Sequence, residues 1–510
     1  MVRCVVQSQW LIYSKHLPSI STAKRHSIQA FPLFAISGRG SSSHTLSADD
    51  NAKPLLMGPL DNVMPRHHIT PKALFIPASS SSKEKILKIL KSGLAQTIKA
   101  IPTVAGHVKA ASNPIQEGSM CVTTPFGAVE DIFTAQDLTE SHPEMDYDDL
   151  KRRHFPMEAV DSNVVYSLPD LMKAEKPVFL AQANFIRGGL VLGISLHHSF
   201  GDGTSLKTIL QTWATCCRGE SAAPTLTEST RRERLMSSET GASLDEFPEY
   251  ATIPDNIAGY QPGVAKGEGP EIAPEPPQVD SHVFYLSAQR LKGLKDLASA
   301  KLEGSDWIST SDALSALLWR SITVARNLEP GDAATEDTRV LNIPLDGRRI
   351  MREDTNSYMG NMILFNNATT PLRNLLSSPP QLPEIARTIR QSISRIDEKY
   401  IKRAISAIGS VPDVSKVIMS GGTFGESALT ISSWGNLHMD WGHVIGGPSE
   451  RVRVSKIPFP GVCVILPASE PGNRSTEPNG VEVMIGLKSD DMARLMNDPF
   501  FASFAEWRCS

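Results

Sequence analysis

Cysteine is scarce in this chain. Six are spread over 510 residues (Cys4, Cys121, Cys216, Cys217, Cys463 and Cys509), with no CxxC pair and no Cys/His cluster. That pattern offers no zinc site and fits a reduced, intracellular protein. Long apolar runs are missing too: none approaches the ~18 residues a membrane span needs, so no membrane partner is expected. Charge of one sign is not in excess, since 51 Lys and Arg stand against 55 Asp and Glu for a net −4. Such a balance gives no electrostatic footprint for nucleic acid. Acidic residues are absent from the first 48 positions, which hold five Lys or Arg, the first acid being Asp49. This composition resembles an organelle transit segment, and equally a variable extension on an otherwise cytoplasmic protein.

What is present suits two to three folded domains, with 40% hydrophobic and 21% charged residues. Residues 1–50 form the atypical extension, and folded texture begins over 51–218. Ala73 to Ile76 is a candidate strand closed by Pro77. Ser80 to Ser82 precede Lys83, and Ile86, Ile89, Leu90, Leu94 and Ile98 follow at helical spacing. Val178 to Ile186 and Leu190 to His197 read as a hairpin joined by Arg187-Gly188-Gly189. Between 219 and 281, Pro, Gly, Ser and Glu accumulate, as in Gly267-Glu268-Gly269-Pro270 and Pro274-Glu275-Pro276-Pro277, which marks a crossover linker. A second domain then occupies 282–510. In it Ser309 caps a helix from Asp312 to Arg326, and strands are expected at Val340–Leu345, Met359–Phe365, Val462–Leu466 and Val481–Leu487. The fold class is α/β, and no solenoid repeat occurs.

The first chemically telling stretch is His197-His198-Ser199-Phe200-Gly201-Asp202-Gly203. It follows an apolar strand and precedes a helix pattern in which Leu206, Ile209, Leu210 and Trp213 recur on one face. An imidazole displayed there suits a general base, because it exchanges a proton near neutral pH. Asp202 at +4 could orient it or turn away and brace the loop. A chain with 13 histidines holds roughly one His-x-x-x-Asp by chance, so the spacing alone also fits a structural histidine. His197, at the strand end itself, fits a core role better. No GxSxG elbow accompanies the turn, which disfavours a covalent serine enzyme. The second stretch is Asp440-Trp441-Gly442, continuing through His443 to Gly446-Gly447-Pro448. It reads as a flexible bend carrying an indole, either lining a channel or buried as a structural turn.

Taken together and in this order, about 240 residues apart, the two stretches resemble the BAHD acyltransferases, most closely their fungal branch. Members carry HxxxDG mid-chain and DFGWG towards the C-terminus. Here the first motif is complete from His198 to Gly203. The second survives as Asp440-Trp441-Gly442, with Trp in place of Phe and no second Trp-Gly. Gly58-Pro59-Leu60-Asp61, Asp312-Ala313-Leu314 with Trp319-Arg320, Asp346-Gly347-Arg348 and Gly360-Asn361 resemble further landmarks of that family.

The resemblance implies two chloramphenicol acetyltransferase-like domains of mixed sheets flanked by helices, with a channel at their interface. It implies acyl-CoA, commonly acetyl-CoA, as co-substrate, a small-molecule acceptor, no bound cofactor, no metal and a monomer. Carried across, His198 is the general base, Asp202 and Gly203 hold the loop, and Asp440 is the second-motif acid, mainly structural, beside Trp441 and Gly442. The doubled histidine also fits condensation domains that use carrier-bound acyl groups, although no carrier or adenylation region is present. A silent binding relative is the remaining alternative.

Overall fold

The computed structural model describes residues 54–510, apart from 69, 113, 115, 124–125, 170–172, 222–231, 236–240, 254–277, 301–305, 328–336, 352–354, 356, 420–427, 435–436, 458 and 467–479. The acid-free extension and the Pro/Glu-rich centre of the crossover lie outside the described residues.

Two mixed sheets organise the molecule. One has five strands, in the order Arg451–Val454, Lys72–Pro77, Gly189–Leu196, Phe179–Ile186 and Phe133–Asp137. The other has seven, in the order Ile363–Pro371, Thr338–Asp346, Ala428–Ser433, Val462–Ile465, Val481–Lys488, Val279–Leu286 and Glu506–Cys509. In the first sheet only Phe133–Asp137 runs parallel to its neighbour. In the second, Ala428–Ser433 runs parallel to both of its neighbours.

The central strand Gly189–Leu196 is buried along nearly its whole length, which is why it reads as a continuous apolar run rather than an alternating one. Gly193 interrupts that run for a steric reason. A Cβ there would stand 2.1 Å from the Val165 carbonyl oxygen.

Helix Lys83–Ala100 starts as the sequence suggests, with Ser82 accepting from the Lys85 amide at 3.3 Å, and it buries Ile86, Leu90 and Leu94. It packs on helix Gly203–Cys217. Trp213 from the second helix donates its indole N–H to the Leu90 carbonyl at 2.9 Å. Helix Thr310–Ala325 is capped by Ser309 and buried on most faces, so its sequence is apolar nearly all round.

Three features depart from the linear reading. Strand Arg451–Val454 belongs to the first sheet, paired antiparallel with Lys72–Pro77. Trp441, Met439 and Ile445 join the core of that first half with it. The crossover is not without elements: short 3-10 turns occur at Arg232–Leu235 and Leu244–Glu246, and Tyr250–Thr252 pairs with Val417–Met419. The strand expected from Met359 begins only at Ile363. Residues 359–362 leave the ladder because their backbone serves the His198 turn instead.

Candidate active site

The turn after strand Gly189–Leu196 is held from three directions. Its backbone enters through His197, whose amide donates to the Val178 carbonyl at 2.8 Å, and His198, whose amide donates to the His67 carbonyl at 3.2 Å. Asn361 donates its side-chain amide to the His198 carbonyl at 2.8 Å. Asp202 then caps helix Gly203–Cys217, accepting from the Ser205 amide at 3.0 Å.

Asp202 does not face the imidazole. Its carboxylate takes a two-pronged contact from Arg348, at 2.8 and 3.2 Å, and a third bond from the Met362 amide at 3.0 Å. Arg348 is itself buried and extends to the carbonyls of Tyr358 and Gly360 and to Asp346. The aspartate is therefore consumed as a brace, in the fork geometry that guanidinium and carboxylate favour. Asp61 sits behind the same turn, fully buried. It accepts from the Asn361 amide at 2.7 Å and forms an ion pair with Arg232, whose Nε stands 2.9 Å away. Arg232 also donates to the Phe200 carbonyl at 2.6 Å and to the Met359 carbonyl. So a residue of the crossover pins the turn directly.

Of the two flanking glycines, space demands only Gly201. A Cβ at Gly201 would lie 2.6 Å from that of Ser205, whereas one at Gly203 would meet nothing within 4 Å.

Of the neighbouring imidazoles of His67, His68, His197 and His198, only His198 lines a cavity of about 880 Å³ between the two sheets. Walls come from both halves: Ile194, Gly203 and Lys207 on one side, and Ile343, Ile363, Phe365 and Trp434 on the other. The Nδ1 atom of His198 is buried with no hydrogen-bond partner among the described residues, which leaves Nε2 as the nitrogen a substrate can meet. Burial pushes the His198 pKa below the ordinary imidazole value, while its own carbonyl, the Asp202 charge and the Asn361 amide pull the other way. The imidazole is thus neutral, as a proton acceptor must be.

His197 is 1% exposed, its ring edge-on to His68 at 5.7 Å. His68 is fixed by contacts to Ser195 at 2.8 Å and to the Pro177 carbonyl at 2.6 Å. Burial pushes both His67 and His68 down to about 4. These groups stay neutral in the fold but take up protons in the unfolded chain below pH ~6.5. Stability is therefore complete above that pH, declines as pH falls from 6.5 to about 4, and loses no more from these groups below it. His68 alone accounts for about 2–3 kcal/mol of that loss. Thermal melts between pH 7 and 4 check this. A melting temperature flat across the range contradicts it.

The second motif stands away from the cavity. Asp440 is exposed, its carboxylate accepting the Gly442 amide at 2.9 Å and its carbonyl accepting Arg218 Nη1 at 2.5 Å. Trp441 is wholly buried, edge-on to Trp213 at 5.2 Å. Neither residue lines the cavity. Gly442 has φ +81° and Gly446, further along the bend, has φ +144°. A Cβ on Gly446 would come within 2.0 Å of the Pro77 carbonyl oxygen. Gly446→Ala is expected to cost about 2–4 kcal/mol through backbone strain and overpacking, read as a lowered melting temperature. An unshifted melt counts against this seating of the bend on strand Lys72–Pro77.

The sequence profile of the Transferase family matches residues 47–501. The chain belongs to this family, the BAHD-type acyltransferases. Curated relatives of the Transferase family chain include the eremophilane O-acetyltransferase ORF8 of Penicillium roqueforti, 26% identical over 474 residues, 88% of this chain and 98% of that protein. Another is the trichothecene 3-O-acetyltransferase TRI101 of Fusarium sporotrichioides, 26% identical over 459 residues, 85% of this chain and 93% of the other. Among solved structures, F. graminearum TRI101 complexed with coenzyme A and T-2 mycotoxin superposes with a TM-score of 0.73 at 22% identity, over 89% of this chain and all of that one. Vinorine synthase, at 16% identity, gives 0.53 over 87% of this chain and 92% of its own. These likenesses establish the two-domain, chloramphenicol acetyltransferase-like fold of this family member. It is an acyltransferase with acyl-CoA as co-substrate.

The sequence leaves open whether Asp202 orients the imidazole or braces the loop, and names no partner for a brace. Arg348 fills that place, in a stretch already singled out as a landmark. For Arg232 no signal existed, because a basic residue in a polar connector looks like any solvated charge. Among the described residues no His, Cys, Asp and Glu group could hold a metal ion, and no helix is long and apolar enough to cross a membrane.

Proposed function

We propose that the enzyme moves an acetyl group from acetyl-CoA to a hydroxyl of a secondary metabolite, with His198 as general base. The carrying observation is His198 on the wall of a cavity shared by both halves, with its Nδ1 buried. The acceptor hydroxyl gives its proton to His198 as its oxygen attacks the thioester carbonyl. The carbon–sulfur bond then breaks, and the departing thiolate takes the proton back from the imidazolium. Asp202 has no part in the transfer itself. It positions the turn through Arg348.

Asp440, Trp441 and Gly442 act structurally in this reading, as the bend that seats on strand Lys72–Pro77. A division into an extension at 1–50, a domain at 51–218, a crossover at 219–281 and a second domain at 282–510 is proposed with one exchange, the strand Arg451–Val454. A monomer acting in the cytoplasm completes the proposal, supported by the free thiols of Cys121, Cys216, Cys217, Cys463 and Cys509. Light scattering tests the monomer.

Two measurements test the function. Purified protein with free acetyl-CoA, and no carrier protein, should acetylate members of a hydroxylated terpenoid, alkaloid and polyketide panel. A strain lacking the protein should accumulate a metabolite lighter by one acyl group. Turnover that demands a carrier-bound acyl group overturns the reading.

A further inference from the structure

Of the cations on the cavity wall that the acyltransferase reading does not use, Lys72, Lys207 and Arg349, Lys72 lies beside the strand that ends at His198. Lys72 opens strand Lys72–Pro77, directly opposite Ile194 on the strand that leads to His198. Its ammonium donates to the Thr70 carbonyl at 2.8 Å and lies 4.3 Å from the ring centre of Trp434. Trp434 follows strand Ala428–Ser433 of the other sheet, so the contact closes the cavity from both halves.

No carboxylate pairs with Lys72 among the described residues. The cavity's three aspartates are already taken: Asp202 and Asp346 by Arg348, and Asp312 by Arg390. An indole face favours a cation but does not neutralise it. Burial lowers the Lys72 pKa to about 8, which still leaves it charged at neutral pH. Two of its three N–H groups remain for a ligand.

The ligand's identity follows from position. Lys72 and His198 line the same cavity, Lys72 standing opposite Ile194 on the strand that runs into His198. At that depth acyl-CoA presents only its thioester and uncharged pantetheine arm, because its phosphates lie at the far end of that arm. An anion at Lys72 must therefore arrive with the acceptor.

We propose that Lys72, roofed by Trp434, is the specificity residue for the acceptor, and that the acceptor is a hydroxy acid whose carboxylate binds this ammonium. The inference rests on the acyltransferase reading and adds the acceptor's chemical class.

The test uses the full chain, acetyl-CoA and hydroxylated terpenoid and polyketide carboxylic acids, each paired with its methyl ester. The wild type should favour the acids over their esters by roughly 10- to 100-fold in kcat/KM, the worth of one charge-assisted hydrogen bond. Lys72→Met should abolish that preference through a raised KM for the acids, and Lys72→Arg should keep most of it. If Lys72→Met does not fold, Lys72→Gln, which retains N–H donors without the charge, takes its place.

Equal use of acids and esters by the wild type overturns the proposal. So does a Lys72→Met defect that falls on kcat for acids and esters alike, since the charge would then serve the reacting carbonyl. Acetyl transfer to none of the panel, acid or ester, overturns the acyltransferase reading together with this one.

Discussion

His198→Ala is expected to lower acetyl transfer by about 10²–10⁴-fold while circular dichroism and the melting temperature stay near those of the wild type. The imidazole lies on the cavity wall at the end of the buried strand, with Asp202 turned away from it. Its backbone contacts, from His67 and Asn361, go to main-chain atoms that alanine retains. The loss should fall on kcat as well as on kcat/KM, because the proton is moved only in the transition state. The pH profile supplies a second check. The neutral form is active and burial lowers the His198 pKa, so the acid limb of kcat/KM should lie below the ~6.5 of a free imidazole. Retained turnover in His198→Ala would end the assignment.

Breaking the Asp202–Arg348 pair has the other large expected effect, and its signature is different. Both side chains are nearly inaccessible, at 1% and 2% exposure. Removing one partner leaves a buried charge uncompensated, at a cost of about 3–5 kcal/mol. Arg348→Met should therefore lower the melting temperature by several degrees and loosen the turn, so that kcat falls as well. Arg348→Lys should not restore the wild type, because a single ammonium cannot give the forked contact together with the bonds to Tyr358 and Gly360. If Asp202 instead oriented the base, Arg348→Met would leave stability nearly unchanged while moving the pH profile. That pattern would remove the brace from the account.

Local structure was readable because its causes lie within a few residues. The spacing of Ile86, Leu90 and Leu94 and the Ser82 cap define one helix, and the Ser309 cap defines another. The run Leu190 to Ile194 shows a strand buried on both faces. The strand expected from Met359 starts only at Ile363 for a reason that lies outside it. Its first residues bond to Asp202 and Asp61, and Asp61 stands 300 residues away in sequence from Asn361. At Asp202 the sequence left two orientations open, and nothing in the turn chooses between them. Arg348 chooses, from 146 residues away.

The family, the order of its two motifs, the alternation of strands and helices, and the residue type at the centre of the chemistry are legible in the chain alone. Each depends on identities and short spacings, which a linear chain displays. Tertiary structure alone decided which way Asp202 points, that Arg232 pins the turn from the crossover, that Arg451–Val454 crosses to the first sheet, and that Lys72 shares a cavity with His198. Buried ion pairs and sheet edges join residues that are distant along the chain. Their energies arise from desolvation and geometry at the point of contact, so they leave no periodic or compositional trace in either partner's own segment.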